Sequence, residues 1–189
     1  MNTFITTILF IGFMQEKEVK ILEINRKKIE QMLTGLGAKK VFDGDIQTLF
    51  FDFKDGRIVK AKDVLRLRKE QDKMEVTYKK VYATQTAKEA QEYTVEVSNV
   101  EIMRKILENL GLTVTERMQK HRASYTLDHV RFDIDRYFGS YRYIPEFMEI
   151  EAENIGLIHK YAELLGFKAK DCLPWSTNEL IQHYSIKKK

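Results

Sequence analysis

Cysteine is almost missing from this chain: Cys172 is the only one among 189 residues. No intrachain disulfide can form. That excludes a disulfide-stapled secreted scaffold, fits a reducing compartment, and makes a cytoplasmic location the expectation. Proline is nearly as scarce, with two residues, and nine glycines are scattered. Nothing reads as a linker or a low-complexity tract, so no domain boundary is suggested. No apolar run reaches the roughly 20 residues of a spanning helix, and no membrane partner is expected. Neither charge sign dominates, since 32 Lys and Arg stand against 28 Asp and Glu. The two signs are interspersed, unlike the carboxylate-poor basic surface of a nucleic-acid binder, so no nucleic acid is expected either. There is no GxxxxGK[S/T] loop, no GxGxxG after a strand and no Cys-x-x-Cys. His121, His129, His159 and His183 never fall at metal-ligand spacing and read as surface or core-rim residues.

What is present is a soluble composition, 43% hydrophobic and 32% charged, long enough for one domain with its own core. Residues 1–14 are apolar but too short to span a bilayer, and they lack a basic n-region and a small-x-small cleavage site. Met14 would make a natural start. Residues 1–13 are therefore expected to be an extension without a role in the chemistry, and 14–189 a single domain; a weak export signal or an ordered apolar arm are the alternatives. Helical spacing predicts helices over 25–36, 99–110 and 155–165, and a capping box, Ser176 with Glu179, opens a last short one. Strands are predicted over 16–22, 46–53, 64–69, 73–81, 92–97, 113–119, 120–127, 130–137 and 147–153. The basic stretch 57–62 reads as a mobile loop.

Side chains of a strand alternate between two faces. Applied to the predicted strands, that rule gives the same result seven times: one apolar face and one face with charges paired at i, i+2 or i, i+4. Glu16, Glu18 and Lys20 share a face, as do Arg66 and Arg68, Glu75 and Lys79, Glu92 and Glu96, Lys120 and Arg122, Asp133 and Asp135, and Glu149 and Glu151. An antiparallel sheet with one wet face would explain any single strand. The recurrence points instead to a closed barrel with a charged interior, which must be water-filled or hold a ligand because unpartnered buried charge costs several kcal/mol. Carboxylates without cysteine or paired histidine suit a hard cation, Mg2+ or Mn2+. Arg and Lys suit phosphoryl oxygens. A ring holding both suits a metal-bound triphosphate.

The Glu-x-Glu-x-Lys opening at Glu16, Glu18 and Lys20 resembles the signature of the CYTH superfamily, the triphosphate tunnel metalloenzymes. It is joined in family order by Leu65-Arg66-Leu67-Arg68, Thr77-Tyr78-Lys79, the Glu92–Glu96 strand, Lys120-x-Arg122, Asp133-x-Asp135 and Glu149-Ile150-Glu151. The resemblance implies an α+β fold, a closed eight-stranded antiparallel β tunnel with helices packed outside. It implies that Lys20, Arg66, Arg68, Lys79, Lys120 and Arg122 bind the triphosphate. It implies that Glu16, Glu18, Asp133, Asp135, Glu149 and Glu151 supply the ligands of Mg2+ or Mn2+, and that Glu16, Glu18, Lys20 and Glu96 form the catalytic set. The activity it implies is that of a class IV adenylate cyclase, forming cAMP and pyrophosphate from ATP. A triphosphatase acting on thiamine triphosphate, a nucleoside triphosphate or tripolyphosphate is the alternative, and a non-catalytic nucleotide or polyphosphate binder a further one. The partner expected is a small-molecule triphosphate, with a homodimer as the candidate assembly. The second strand, Gln47-Thr48-Leu49-Phe50-Phe51-Asp52, departs from the Asp-x-Tyr-like pattern of many members, which bears on the tunnel mouth.

Overall fold

The structure is a computed structural model that describes residues 17–83 and 88–187. Eight strands run in order through the chain: β1 (Lys17–Ile21), β2 (Lys39–Phe53), β3 (Val64–Glu70), β4 (Lys73–Ala83), β5 (Lys88–Glu96), β6 (Leu112–Leu127), β7 (Val130–Tyr137) and β8 (Phe147–Ala152). Five helices accompany them: α1 (Arg26–Gly35), α2 (Arg57–Lys60), α3 (Val100–Asn109), α4 (Ile155–Leu164) and α5 (Thr177–Lys187). Asn25, Asn99 and Asn154 cap α1, α3 and α4 by accepting from the N–H three residues on, at 3.0, 2.9 and 3.0 Å. The predicted capping box opens α5: Ser176 N–H donates to Glu179 at 2.7 Å and Glu179 N–H to Ser176 Oγ at 3.3 Å.

All strands pair antiparallel in one sheet of order β1-β8-β7-β6-β2-β3-β4-β5. The sheet is not closed into a barrel, which corrects the tunnel expectation. Closure needs the first and last strands of that order, β1 and β5, to be hydrogen-bonded neighbours, and they stand at opposite edges. The outer edge of β1 is taken by another segment: Lys20 N–H donates to Leu173 C=O at 2.8 Å and Leu173 N–H to Lys20 C=O at 2.9 Å. Residues 113–127, expected as two strands, are one continuous strand, because β2 pairs with β6 from Lys39–Thr126 to Phe53–Leu112. The expected loop at 57–62 contains helix α2. Buried Asp52 accepts from Ile58 and Val59 N–H at 3.0 Å each and holds that turn in place.

Partners across a ladder lie on the same face, so the register carries the two-faced character from strand to strand. On the apolar face, Val19, Ile21, Phe132, Ile134, Met148 and Ile150 pack under α1 and α4 against Leu33, Ile158 and Tyr161. A second cluster, Phe51, Leu65 and Leu67, packs with Ile58 of α2 and Leu107 beside Leu112. Helix α5 packs at one end of the sheet. Its Leu180 and Tyr184 join Met118, Tyr137 and Phe147, with Leu22 and Phe50 against them. Those strand residues share the face of the charged side chains, through the pairs Lys120–Tyr137, Asp135–Phe147, Thr48–Met118 and Arg66–Phe50. The charged face therefore ends, on one side, in an aromatic cluster covered by a helix.

Candidate triphosphate and metal site

The register assembles the charged face into an acid-rich and a base-rich half. On β1 and β8, Lys20 is paired with Glu149 and Glu18 with Glu151. The Lys20 ammonium, 3% exposed, lies 2.9 Å from Glu149 and in contact with Glu18. Desolvation works against that charge, but Glu149 and Glu18 hold it above the ordinary lysine range. Desolvation and then the Glu149 charge push Glu18 above the ordinary glutamate range. Glu149 goes the other way: against its burial, Arg122, Lys20 and Lys120 hold it well below that range.

Arg122 is the hub of this half. Its Nε donates to Asp135 Oδ1 at 2.7 Å and its Nη2 to Asp135 Oδ2 at 2.6 Å, a bidentate grip, while Asp133 and Glu149 contact Nη1 and Nη2. Lys120 adds a 2.7 Å bond to Asp135 Oδ2, and Arg131 holds Asp133 at 3.0 Å. Asp135 is fully buried and Asp133 nearly so. Against burial, Asp135, Glu149 and Asp133 keep Arg122 charged. Burial and then Arg122 push Lys120 below the ordinary lysine value of 10.5, with Asp135 and Glu149 pulling it back.

The base-rich half is short of negative charge. Arg66 and Arg68 of β3 reach only distant carboxylates, Glu92 at 3.6 Å and Glu75 at 3.8 Å. Their Nε atoms are buried and have no hydrogen-bond partner among the described residues. Burial, then Arg66 and Arg122, push the Arg68 guanidinium down to about 10. Orphaned donors and mutually repelling cations are features that an anion would satisfy, since a buried unpaired donor costs about 1–3 kcal/mol. Lys79 stands further along, 2.9 Å from Glu92. Between β3 and β6 lies β2, which contributes neutral Thr48 and Ile46, both buried, to the same face.

The expected site residues are thus brought together unevenly. Lys20, Glu18, Glu149, Asp133, Asp135, Arg122 and Lys120 form one connected ion-pair network; Glu151 lies beside it on the same face. Arg66, Arg68 and Lys79 form the second group. Glu96 stands apart on β5, at the far edge of the sheet from Glu18, 76% exposed and 3.8 Å from Lys73. Glu16 lies outside the described residues. Arg131 and Tyr137 belong to the face as well. Their signal was present in the period-two pattern of Arg131, Asp133 and Asp135.

Among the described residues no group of three or more His, Cys, Asp or Glu is drawn together as a metal cage. The carboxylates are folded onto cations instead. Asp133 and Asp135 have each oxygen engaged by Arg122, Lys120 or Arg131 and are almost fully buried, which leaves them poorly suited to ligate; Glu149 has both oxygens engaged as well, by Lys20 and Arg122, but its side chain is more exposed. Glu18, Glu149 and Glu151 form an all-oxygen donor set on two paired strands, and the two that meet at Lys20 repel each other. That set fits a hard divalent cation.

A family model described as the CYTH domain matches residues 14–163. A relative named "Putative adenylate cyclase MJ0240", from Methanocaldococcus jannaschii, is 27% identical over 138 residues, covering 73% of this chain and 77% of its own length. The structure of the PH1012 protein from Pyrococcus horikoshii OT3 superposes with a TM-score of 0.71 at 28% identity, covering 87% of this chain and 98% of that one. That of PH1819, from the same organism, gives 0.71 at 20% identity, covering 89% and 98%. A family match over most of the chain, together with a sheet that carries the charge pattern through seven of its eight strands, leads to one statement: this chain belongs to the CYTH domain family.

Proposed function

We propose that the protein is a divalent-metal-dependent enzyme that breaks a phosphoanhydride bond of a triphosphate. The observation that carries this is the pair of buried Nε donors of Arg66 and Arg68, without partners, on the face that also holds a cluster of carboxylates. Arg66, Arg68 and Lys120 bind the phosphoryl oxygens, Arg66 and Arg68 through donors that are now unfilled. Lys79 extends the basic row. Arg122 and Lys20 act from below, holding Glu149 ionised, and Asp133 and Asp135 fix Arg122. Glu18, Glu149 and Glu151 hold Mg2+ or Mn2+, with Glu16 as a further candidate. The metal supplies neutralisation of charge on the reacting and leaving oxygens. The chain's own part is in-line positioning and a fixed array of donors that needs no reorganisation during the reaction.

Two reactions suit this array. In a cyclase, the ribose 3′-oxygen of ATP bonds to the α-phosphorus, the α–β bridge breaks, and pyrophosphate leaves; the name carried by the M. jannaschii relative favours this reading. In a triphosphatase, a water oxygen bonds to the terminal phosphorus, the β–γ bridge breaks and the diphosphate leaves, which gives orthophosphate. The exposure of Glu18 and Glu92, 44% and 40%, lets water reach the face and favours the second reading. In either case a carboxylate accepts the proton of the nucleophile.

The test is product identification after incubation with Mg2+ or Mn2+ and ATP, thiamine triphosphate or tripolyphosphate. Cyclic AMP with pyrophosphate establishes the cyclase, orthophosphate the hydrolase. Tight binding with no product in any combination would sink the enzymatic reading and leave a binding module.

A further inference from the structure

Strand β5 is the last strand of the sheet, and its apolar face lies largely open. Tyr93 and Val95 are the ladder partners of Tyr78 and Val76, so they point to the same face. Tyr78 and Val76 pack into the cluster of Leu65, Leu67 and Leu107, whereas Tyr93 and Val95 stay exposed.

Helix α3 adds a second apolar strip on that side of the sheet. With about 3.6 residues per turn, Ile102, Ile106 and Leu110 form one flank of the core-facing line of Met103 and Leu107, and Glu101 falls on the other flank. Glu101 borders the cleft lined by Gln47, Lys69 and Arg117, on the β2 and β6 side. The Ile102 flank therefore faces β4 and β5. Only Val97, Ser98 and Asn99 connect β5 to α3, so the helix runs back beside the strand it follows. A bed, Tyr93 and Val95, thus lies next to a ridge, Ile102, Ile106 and Leu110. All five side chains are 47–67% exposed. Together they leave roughly 500–600 Å2 of apolar surface open, the upper end of what a monomer shows.

We propose that this face is the interface of a homodimer, in which a two-fold axis seats the α3 ridge of each copy on the β5 bed of the other. An isologous interface requires a self-complementary surface, and a ridge beside a bed becomes one under a two-fold rotation. These five side chains, taken from both copies, bury about 1,000 Å2 or more, the size a specific interface needs. The ridge carries no charge, and neighbouring Asn109 turns its amide back to the Lys105 carbonyl at 2.8 Å. No ionised group is therefore desolvated at the centre of the contact. Glu92 and Thr94 alternate with the bed residues and stay on the charged face, so the interface uses none of the site residues.

The experiment is sedimentation equilibrium of the full chain over a dilution series. Wild type should sediment at twice the 22.3 kDa chain mass. Ile106→Glu and Val95→Lys should each raise the dimer dissociation constant at least about thirtyfold, the loss of an anchor near the interface centre. An equimolar mixture of the two variants should form the dimer again, because Glu on the ridge of one meets Lys on the bed of the other. Leu110→Ser, at an exposed helix end, repeats the test with little risk to the fold, and an unchanged far-ultraviolet dichroism spectrum shows that each variant is folded. Wild type that stays monomeric throughout overturns the homodimer; if removing residues 1–13 then produces a dimer, the apolar N-terminal segment is the occupant of this face instead. Dimers of wild-type strength in both Ile106→Glu and Leu110→Ser place the interface elsewhere and overturn it as well.

Discussion

Replacing Asp135 by asparagine keeps the shape of a fully buried side chain and removes its charge. Asp135 accepts from Arg122 Nε at 2.7 Å, Arg122 Nη2 at 2.6 Å and Lys120 Nζ at 2.7 Å. Asparagine offers one acceptor oxygen where there were two, and turns an amide donor toward groups that are themselves donors. Breaking a buried ion pair from one side typically costs about 3–5 kcal/mol. Arg122 keeps Asp133 and Glu149, so its charge stays compensated, while Lys120 loses its 2.7 Å partner. The low end is therefore expected, about 3 kcal/mol. For a chain of this length that lowers Tm by roughly 6–12 °C. Urea unfolding without divalent metal measures it. A second readout separates a structural anchor from a metal ligand: Mg2+ should stabilise the variant as much as wild type, because Asp135 spends its oxygens on Arg122 and Lys120. A loss below about 1 kcal/mol, or a variant of wild-type stability that no longer responds to Mg2+, would refute this reasoning and return Asp135 to the ligand set.

Three further outcomes follow from the same geometry. Because Lys120 ionises below its ordinary 10.5, its charge is lost early as pH rises; tripolyphosphate affinity should begin to fall below pH 10.5, and Lys120→Arg should carry it to higher pH in the same titration. Glu149 is held well below the ordinary glutamate value of 4.5, so its contribution to stability is fully present above about pH 4.5 and disappears only as pH falls toward the depressed value; Glu149→Gln should abolish turnover and flatten the acid limb of a stability-versus-pH series. Leu180 is completely buried against the aromatic end of the charged face; Leu180→Ala should cost about 2–5 kcal/mol and expose that cluster, read as increased binding of an apolar dye.

Period two was the strongest signal in the sequence, and it located every strand that carries paired charges. It works because those strands turn apolar side chains to one face and charged ones to the other, even where, as at Asp133 and Asp135, the charged face is buried too. Where that contrast fades, the signal fades too. The first half of β2, with Asp43, Gly44 and Asp45, lies outside the predicted strand 46–53, yet it is extended because β6 pairs with it. Helix α2 depends on Asp52, six residues before Ile58 and at the end of a strand, which no local periodicity announces. The open edge is less legible still. It is decided by Leu173, more than 150 residues from the Lys20 it bonds.

The site was legible as a face but not as a set of pairs. Parity places Arg122 and Asp135 on one face; only the β6–β7 register makes them direct partners, and only the side-chain reach of Arg122 across β7 adds Glu149. Once those pairs are drawn, the charges no longer behave as a uniform ring. The β1 and β8 side holds glutamates crowded around one lysine, and burial and then the Glu149 charge push Glu18 above the ordinary glutamate range. The β3 side holds two arginines whose buried nitrogens lack partners. One half is therefore short of positive charge and the other short of negative charge, although the whole face nearly balances. A polyanion alone would relieve only the arginines, and a cation alone only the glutamates. On the proposed function, a metal-bound triphosphate carries both charges at once, so the two halves of the face would favour binding it as a unit over binding either component separately.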